Sequence, residues 1–218
     1  MNVIKTINLK KTFTNDSISQ EVLKGLNIEI NKGDFSGIVG PSGSGKTTLL
    51  YCLSSLEEIT SGEILFLDKD ISKYTKKEIA DLRKTELGFI FQFYNLIPNL
   101  TVYENILLAR IIAKKDESYI DEILELVGMK EFKNYYPNQL SGGMQQRIAI
   151  ARALVNQPKI IFADEPTGNL DQKNGHEIME LLKKLNAEKE ITIVLVTHNE
   201  DYLEYCNKVF RLIDGTIQ

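Results

Sequence analysis

Three short stretches of this sequence carry residue types whose order and spacing suit chemistry on phosphate. The first is Gly40-Pro41-Ser42-Gly43-Ser44-Gly45-Lys46-Thr47, which fits the phosphate-loop pattern GxxxxGK[ST] at every fixed position. Strand-like Ile38-Val39 precedes it and helical Thr48-Leu49-Leu50 follows, as the pattern requires. Glycines let backbone N–H groups wrap closely around an anion, and a helix start adds its positive dipole end. Lys46 can reach β- and γ-phosphate oxygens as a point charge, and the Thr47 hydroxyl can bind Mg²⁺. The nucleotide cradle so defined runs from Gly40 into Thr48.

The second stretch is Lys159-Ile160-Ile161-Phe162-Ala163-Asp164-Glu165, an apolar strand ending in two acids. Ligands in open α/β sheets sit beyond the carboxyl ends of the strands. There Asp164 can hold a magnesium shell and Glu165 can take a proton from an attacking water. Acids that merely meet solvent at a strand end give the same pattern, so the catalytic reading gains its weight from the phosphate loop. The third stretch is Leu140-Ser141-Gly142-Gly143-Met144-Gln145-Gln146-Arg147. Ser141 is placed to cap a helix whose first residues, Gly142 and Gly143, bare the backbone. That is either a second phosphate-binding helix start or an ordinary capped helix packed closely through a glycine pair.

The elements that must position these residues alternate between short strand-like runs and longer helical ones, the pattern of an α/β layered fold. Strands are expected at Val3–Leu9, Leu26–Ile30, Phe35–Val39, Glu63–Leu67, Gly88–Phe91, Lys159–Ala163, Ile191–Val196 and Lys208–Ile213, with Thr12–Ser19 as a loop. Ile160–Ala163 and Ile193–Val196 are unbroken apolar runs, as parallel strands covered on both faces should be. From about Leu96 to Asn156 the chain reads as helical. A capping box at Thr101–Glu104 opens one helix toward Ala113, and others are expected at Tyr119–Val127 and Ser141–Val155. The expected organisation is one domain over 1–218, with a nucleotide-binding core (1–92 and 157–218) and an inserted helical lobe (93–156).

Composition narrows the classes. With 218 residues the chain can bury a sizeable core without staples, and a net charge of −4 argues against a broadly basic nucleic-acid binder. The two cysteines, Cys52 and Cys206, match no zinc or redox spacing. No run approaches the roughly 18–20 apolar residues of a membrane span. Residues 1–10 alternate like a strand and not like a signal peptide.

Taken together, the ordered motifs resemble those of the ABC ATPases along essentially the whole chain. Leu140–Arg147 resembles the family signature, Gln92 its Q-loop, Asn169-Leu170-Asp171 its D-loop, and His198 its switch histidine. Phe13 occupies the place of an adenine-stacking aromatic. The resemblance implies a phosphate-loop NTPase core of mostly parallel sheet with an N-terminal antiparallel β region and a helical lobe. It also implies a head-to-tail dimer in which ATP on Gly40–Thr48 of one copy is closed by Ser141, Gly142 and Gly143 of the other. Gln92 would touch Mg²⁺, His198 the γ-phosphate, and Asp171 would communicate across the dimer. Met144 departs from the usual glutamine of the signature and leaves a role for that side chain in doubt.

Pro166–Asp171 and Phe91–Pro98 are similar to the branch containing lipoprotein-release, macrolide-efflux, bacitracin-type peptide-export and cell-division ATPases. The resemblance then implies an ATPase attached to the inner face of the cell membrane through a separate permease, with no nucleic-acid partner. A soluble ABC ATPase of DNA repair, chromosome structure or ribosome function is the alternative. The apolar stretch Phe93–Ile97 is either the permease-docking surface or packing between lobe and core.

Overall fold

The computed structural model describes residues 1–15 and 18–218. The chain begins with β1 (Asn2–Asn15), β2 (Ile18–Leu26), β3 (Glu29–Asn31) and β4 (Phe35–Val39). Helix α1 (Lys46–Leu53), β5 (Ser61–Phe66), β6 (Lys69–Asp70), α2 (Lys76–Thr85) and β7 (Leu87–Phe91) follow. Then come α3 (Val102–Ile112), α4 (Ile120–Leu126), α5 (Gly142–Leu154), β8 (Ile160–Asp164), α6 (Gln172–Lys189), β9 (Thr192–Val196), β10 (Lys208–Ile213) and β11 (Thr216–Ile217).

Two sheets divide the strands. The larger has the order β11-β10-β4-β9-β8-β7, and all its pairings except β10–β11 are parallel. The smaller is antiparallel, in the order β2-β1-β5-β6 with β3 also on β1. Side-chain alternation sorts the central strands between two cores. Ile161, Ala163, Ile193 and Leu195 face α3, α4, α5 and α6, whereas Ile160, Phe162, Val194 and Val196 face α1 and the smaller sheet. Covering both faces explains the unbroken apolar runs of β8 and β9.

Two expectations are corrected. Thr12–Ser19 is no loop where it is described: β1 continues through Asn15 and β2 resumes at Ile18, while Asp16 and Ser17 lie outside the described residues. Nor is Leu26–Ile30 one strand. β2 ends at Leu26 and β3 starts at Glu29, because Gly25 adopts a left-handed φ of 80° and the buried Thr6 hydroxyl interposes itself. Thr6 Oγ1 donates to the Leu26 carbonyl and accepts from the Ile28 N–H, both at 2.9 Å. Gly62 in β5 is required by close approach: a β-carbon there would sit 2.4 Å from the Asn8 carbonyl oxygen.

Helices α3 and α5 start where the sequence places their caps. Thr101 and Glu104 form the reciprocal capping box of α3, and the Ser141 hydroxyl accepts from the Met144 N–H. Helices α2 and α6 and strands β2, β6 and β11 are additional to the elements expected from the sequence. Among the described residues no helix is long and apolar enough to cross a membrane.

Candidate active site

Register in the larger sheet brings the chemistry together. Ile38 pairs with Val196, Val196 with Asp164, and Asp164 with Phe91. The carboxyl ends of β4, β9, β8 and β7 therefore lie along one edge. Gly40, His198, Glu165 and Gln92 all follow within two residues of those ends. This is the edge at which open parallel sheets bind ligands.

The phosphate loop turns at Gly40, whose φ of 153° favours glycine, and a β-carbon there would lie 2.0 Å from the Leu212 carbonyl oxygen. Gly45 precedes α1 in a left-handed conformation. The helix has no side-chain cap and no acid in its first turn, which leaves its N–H groups and positive dipole end to a ligand. Lys46 is buried, and its ammonium donates to the carbonyls of Gly40 (2.9 Å) and Pro41 (3.0 Å). The Ser44 hydroxyl is also buried and has no partner within the protein. An orphaned donor inside a ring of N–H groups fits the oxygen-rich phosphates of a nucleotide. Pro41 and Ser42 stand exposed at the tip of the loop, as does Thr47 on the first turn of α1, while Thr48 is partly buried beside it.

Thr47 Oγ1 donates to Asp164 Oδ1 at 3.2 Å. Burial pushes the Asp164 carboxyl above its usual range, against the opposing hydrogen bonds from Thr47 and Tyr51. A hydroxyl and a carboxylate side by side are hard oxygen donors. They suit Mg²⁺, which takes few protein ligands and completes its shell with phosphate and water.

Glu165 adopts a left-handed backbone with φ 46°, an arrangement that costs a non-glycine residue about 1–3 kcal/mol. Its N–H donates to the Val196 carbonyl (2.9 Å), which ties the turn after β8 to β9. Its Oε2 lies 2.8 Å from His198 Nδ1. Gln92 is joined to Asn169 twice: Asn169 Nδ2 donates to the Gln92 carbonyl (2.9 Å), and Gln92 Nε2 donates to Asn169 Oδ1 (3.4 Å).

Other expected site residues lie apart from this cluster. The nearest neighbours of Gly142 and Gly143 are Tyr94, Leu170 and Asn174, none from the phosphate loop. Ser141 caps α5 and Asp171 caps α6, where Asn174 holds the Asp171 carboxyl below the usual carboxylate range. Phe13 is exposed on β1, next to β2, whose Val22 and Leu23 pack over Gly45. Met144, in the first turn of α5, packs against the core.

Two residues escaped the sequence reading. Gln146 is fully buried, donates to the carbonyls of Pro166 (2.6 Å) and Phe91 (3.4 Å), and leaves its own oxygen without a partner. It thereby joins α5 to the chain on either side of the reaction centre. The available signal was an amide at helical spacing among Gly143, Ile150 and Ala153. Arg152 donates to the carbonyls of Tyr94 (2.9 Å) and Asn95 (2.5 Å), clamping the segment after Gln92 to the same helix.

A family model described as "ABC transporter" matches residues 23–168, about two thirds of the chain. The bacitracin export ATP-binding protein BceA of Halalkalibacterium halodurans is 44% identical over 100% of this chain and 87% of its own length. The lipoprotein-releasing system ATP-binding protein LolD of Leptospira interrogans is 44% identical over 98% and 90%. Among solved structures, the dimeric post-hydrolysis state of the ATP-binding cassette MJ0796, bound to ADP and phosphate, superposes with a TM-score of 0.89. It is 40% identical and covers 99% of this chain and 96% of that one. A shared fold, a phosphate loop and full-length similarity agree, and the chain belongs to the ABC transporter family.

Proposed function

We propose that this protein is the ATP-hydrolysing subunit of an exporter or of a system doing mechanical work outside the cytoplasm. In this reading it works as a head-to-tail dimer on the cytoplasmic face of a separate permease. The observation that carries the hydrolytic part is the Glu165–His198 contact of 2.8 Å, one residue from Asp164 and on the same sheet edge as the phosphate loop. Gly40–Thr48 bind the phosphates through backbone N–H groups, with Lys46 turning from its loop carbonyls to the β- and γ-oxygens. Glu165 accepts the proton of the attacking water, and His198 orients that carboxylate and faces the γ-phosphate. Thr47, Asp164 and the Gln92 amide oxygen hold Mg²⁺, which neutralises charge developing on the phosphates.

That Gly142 and Gly143 are closely approached by Tyr94, Leu170 and Asn174 and by no phosphate-loop residue supports a site completed by a second copy. In that dimer the α5 N-terminus supplies N–H groups to the neighbour's γ-phosphate and Asp171 lies at the interface. Phe13 stacks on the adenine. The names of the BceA and LolD relatives support the export-type branch.

The segment after Gln92 divides the roles expected of it. Leu96 packs against the core and Tyr94 against Gly142, whereas Phe93 is 69% and Ile97 40% exposed. The permease-docking reading therefore rests on Phe93 and Ile97. It is tested by capture from detergent-solubilised native membranes with tagged Glu165→Gln protein, ATP and Mg²⁺. A multi-span membrane protein is expected, and its loss with Phe93→Glu places the contact. Recovery of soluble or nucleic-acid-associated partners alone overturns the transporter reading.

A further inference from the structure

Beside Phe13 lies a lysine that the hydrolytic machinery does not use. Lys11 is only 8% exposed, and its ammonium lies 4.5 Å from the centroid of the Phe13 ring. β1 shifts register against β2 between Lys11 and Thr12, and across that irregularity the two side chains meet. The ammonium is anchored from elsewhere: Glu57 Oε1 accepts from it at 2.6 Å and the Glu58 carbonyl at 2.7 Å. The same segment grips the strand around Phe13. Thr60 Oγ1 accepts from the Thr12 N–H (2.9 Å) and donates to the Thr12 carbonyl (3.3 Å), and the Thr60 N–H donates to the Lys10 carbonyl (2.9 Å). Residues 57–60 follow α1, the helix that opens with the phosphate loop, after three intervening residues. The phosphate cradle and the aromatic ring are thus referenced to each other through one short stretch of chain.

We propose that Lys11 is a positioning residue for the nucleotide base: anchored by Glu57 and the Glu58 carbonyl, its ammonium fixes and polarises the Phe13 ring on which the base stacks. This rests on the reading of Phe13 as the base-stacking residue. A cation draws π-electron density toward itself. The opposite face of the ring is left electron-poor and so complements an electron-rich purine. Holding the ring in one orientation also removes a freedom that would otherwise be lost on binding. The exposed aromatic becomes a prepared platform whose rigidity comes from the far end of α1.

Titration calorimetry with ATP and with inorganic triphosphate, a probe that lacks the base, separates this role from simple support of the fold. Lys11→Met keeps the aliphatic stem and is expected to weaken ATP binding by about three- to tenfold, with triphosphate affinity unchanged. Lys11→Arg, which keeps the cation, holds ATP affinity within about twofold of the parent. In a Phe13→Ala background, Lys11→Met adds less than about twofold. Glu57→Gln, at a more exposed side chain, gives a smaller loss in the same ATP-only direction and serves if Lys11→Met does not fold. Unchanged ATP affinity in Lys11→Met, with a clear loss in Phe13→Ala, overturns the proposal and keeps the base-stacking reading. No effect in Phe13→Ala sinks that reading itself. Equal loss of ATP and triphosphate overturns the proposal in favour of support for the phosphate cradle.

Discussion

Replacing Glu165 by glutamine removes one negative charge and the capacity to accept a proton, and little else. The two side chains are isosteric. The left-handed backbone and the bond from the Glu165 N–H to the Val196 carbonyl do not involve the carboxylate. An amide oxygen can still accept from His198 Nδ1, now 2.8 Å from Glu165 Oε2. Folding stability and nucleotide affinity are therefore expected to stay near the parent values. A positioned general base contributes about 10²- to 10⁴-fold to rate. At about 1.36 kcal/mol per tenfold, that corresponds to about 2.7–5.4 kcal/mol of transition-state stabilisation. The assay is steady-state phosphate release at saturating ATP and Mg²⁺, with ATP affinity measured separately. Hydrolysis within about threefold of the parent would refute the assignment of Glu165 as base. Loss of ATP affinity equal to the loss of rate would show instead that the carboxylate serves binding.

Two further expectations concern the scaffold. Thr6→Val leaves the buried Ile28 N–H without its 2.9 Å acceptor. It should cost about 1–3 kcal/mol, a fall in Tm of about 2–12 °C for a chain of this size; an unchanged melting curve would show that Thr6 does not stabilise the β2–β3 connection. Burial pushes the Cys52 thiol up to about 12 and the Cys206 thiol up to about 11. Both should resist iodoacetamide in the folded protein at about pH 8 and react fully in guanidinium, and rapid native labelling of Cys52 would contradict its burial.

The sheet and the site were legible in the sequence to different depths. β8 and β9 announce themselves because strands covered on both faces must be apolar at every position, and α3 does so through its capping box. β2 gives no such signal: Ser19, Gln20 and Glu21 are exposed on a strand whose partner lies on one side only. Helix α6 was obscured by Gly175, which is tolerated in a helix interior because the Tyr202 side chain packs closely against it. The phosphate loop is readable because its chemistry is local. The bonds of Gln146 and Arg152 are not, since each reaches carbonyls 20 to 58 positions away, and carbonyls carry no residue identity.

The division of the interior into two cores by a single sheet also grades the molecule's local stability. β8 and β9 carry an apolar core on each face, so their backbone amides are expected to be among the last to exchange with solvent. The turns that bear Glu165 and His198 grow directly from β8 and β9 and are thus mounted on the segments slowest to open. Phe93 and Ile97 are borne by the stretch after β7, outside both sheets, which can open at lower cost. The candidate reacting groups keep a fixed frame while the exposed stretch after Gln92 stays adaptable, a gradient set by where one sheet lies among its covering layers.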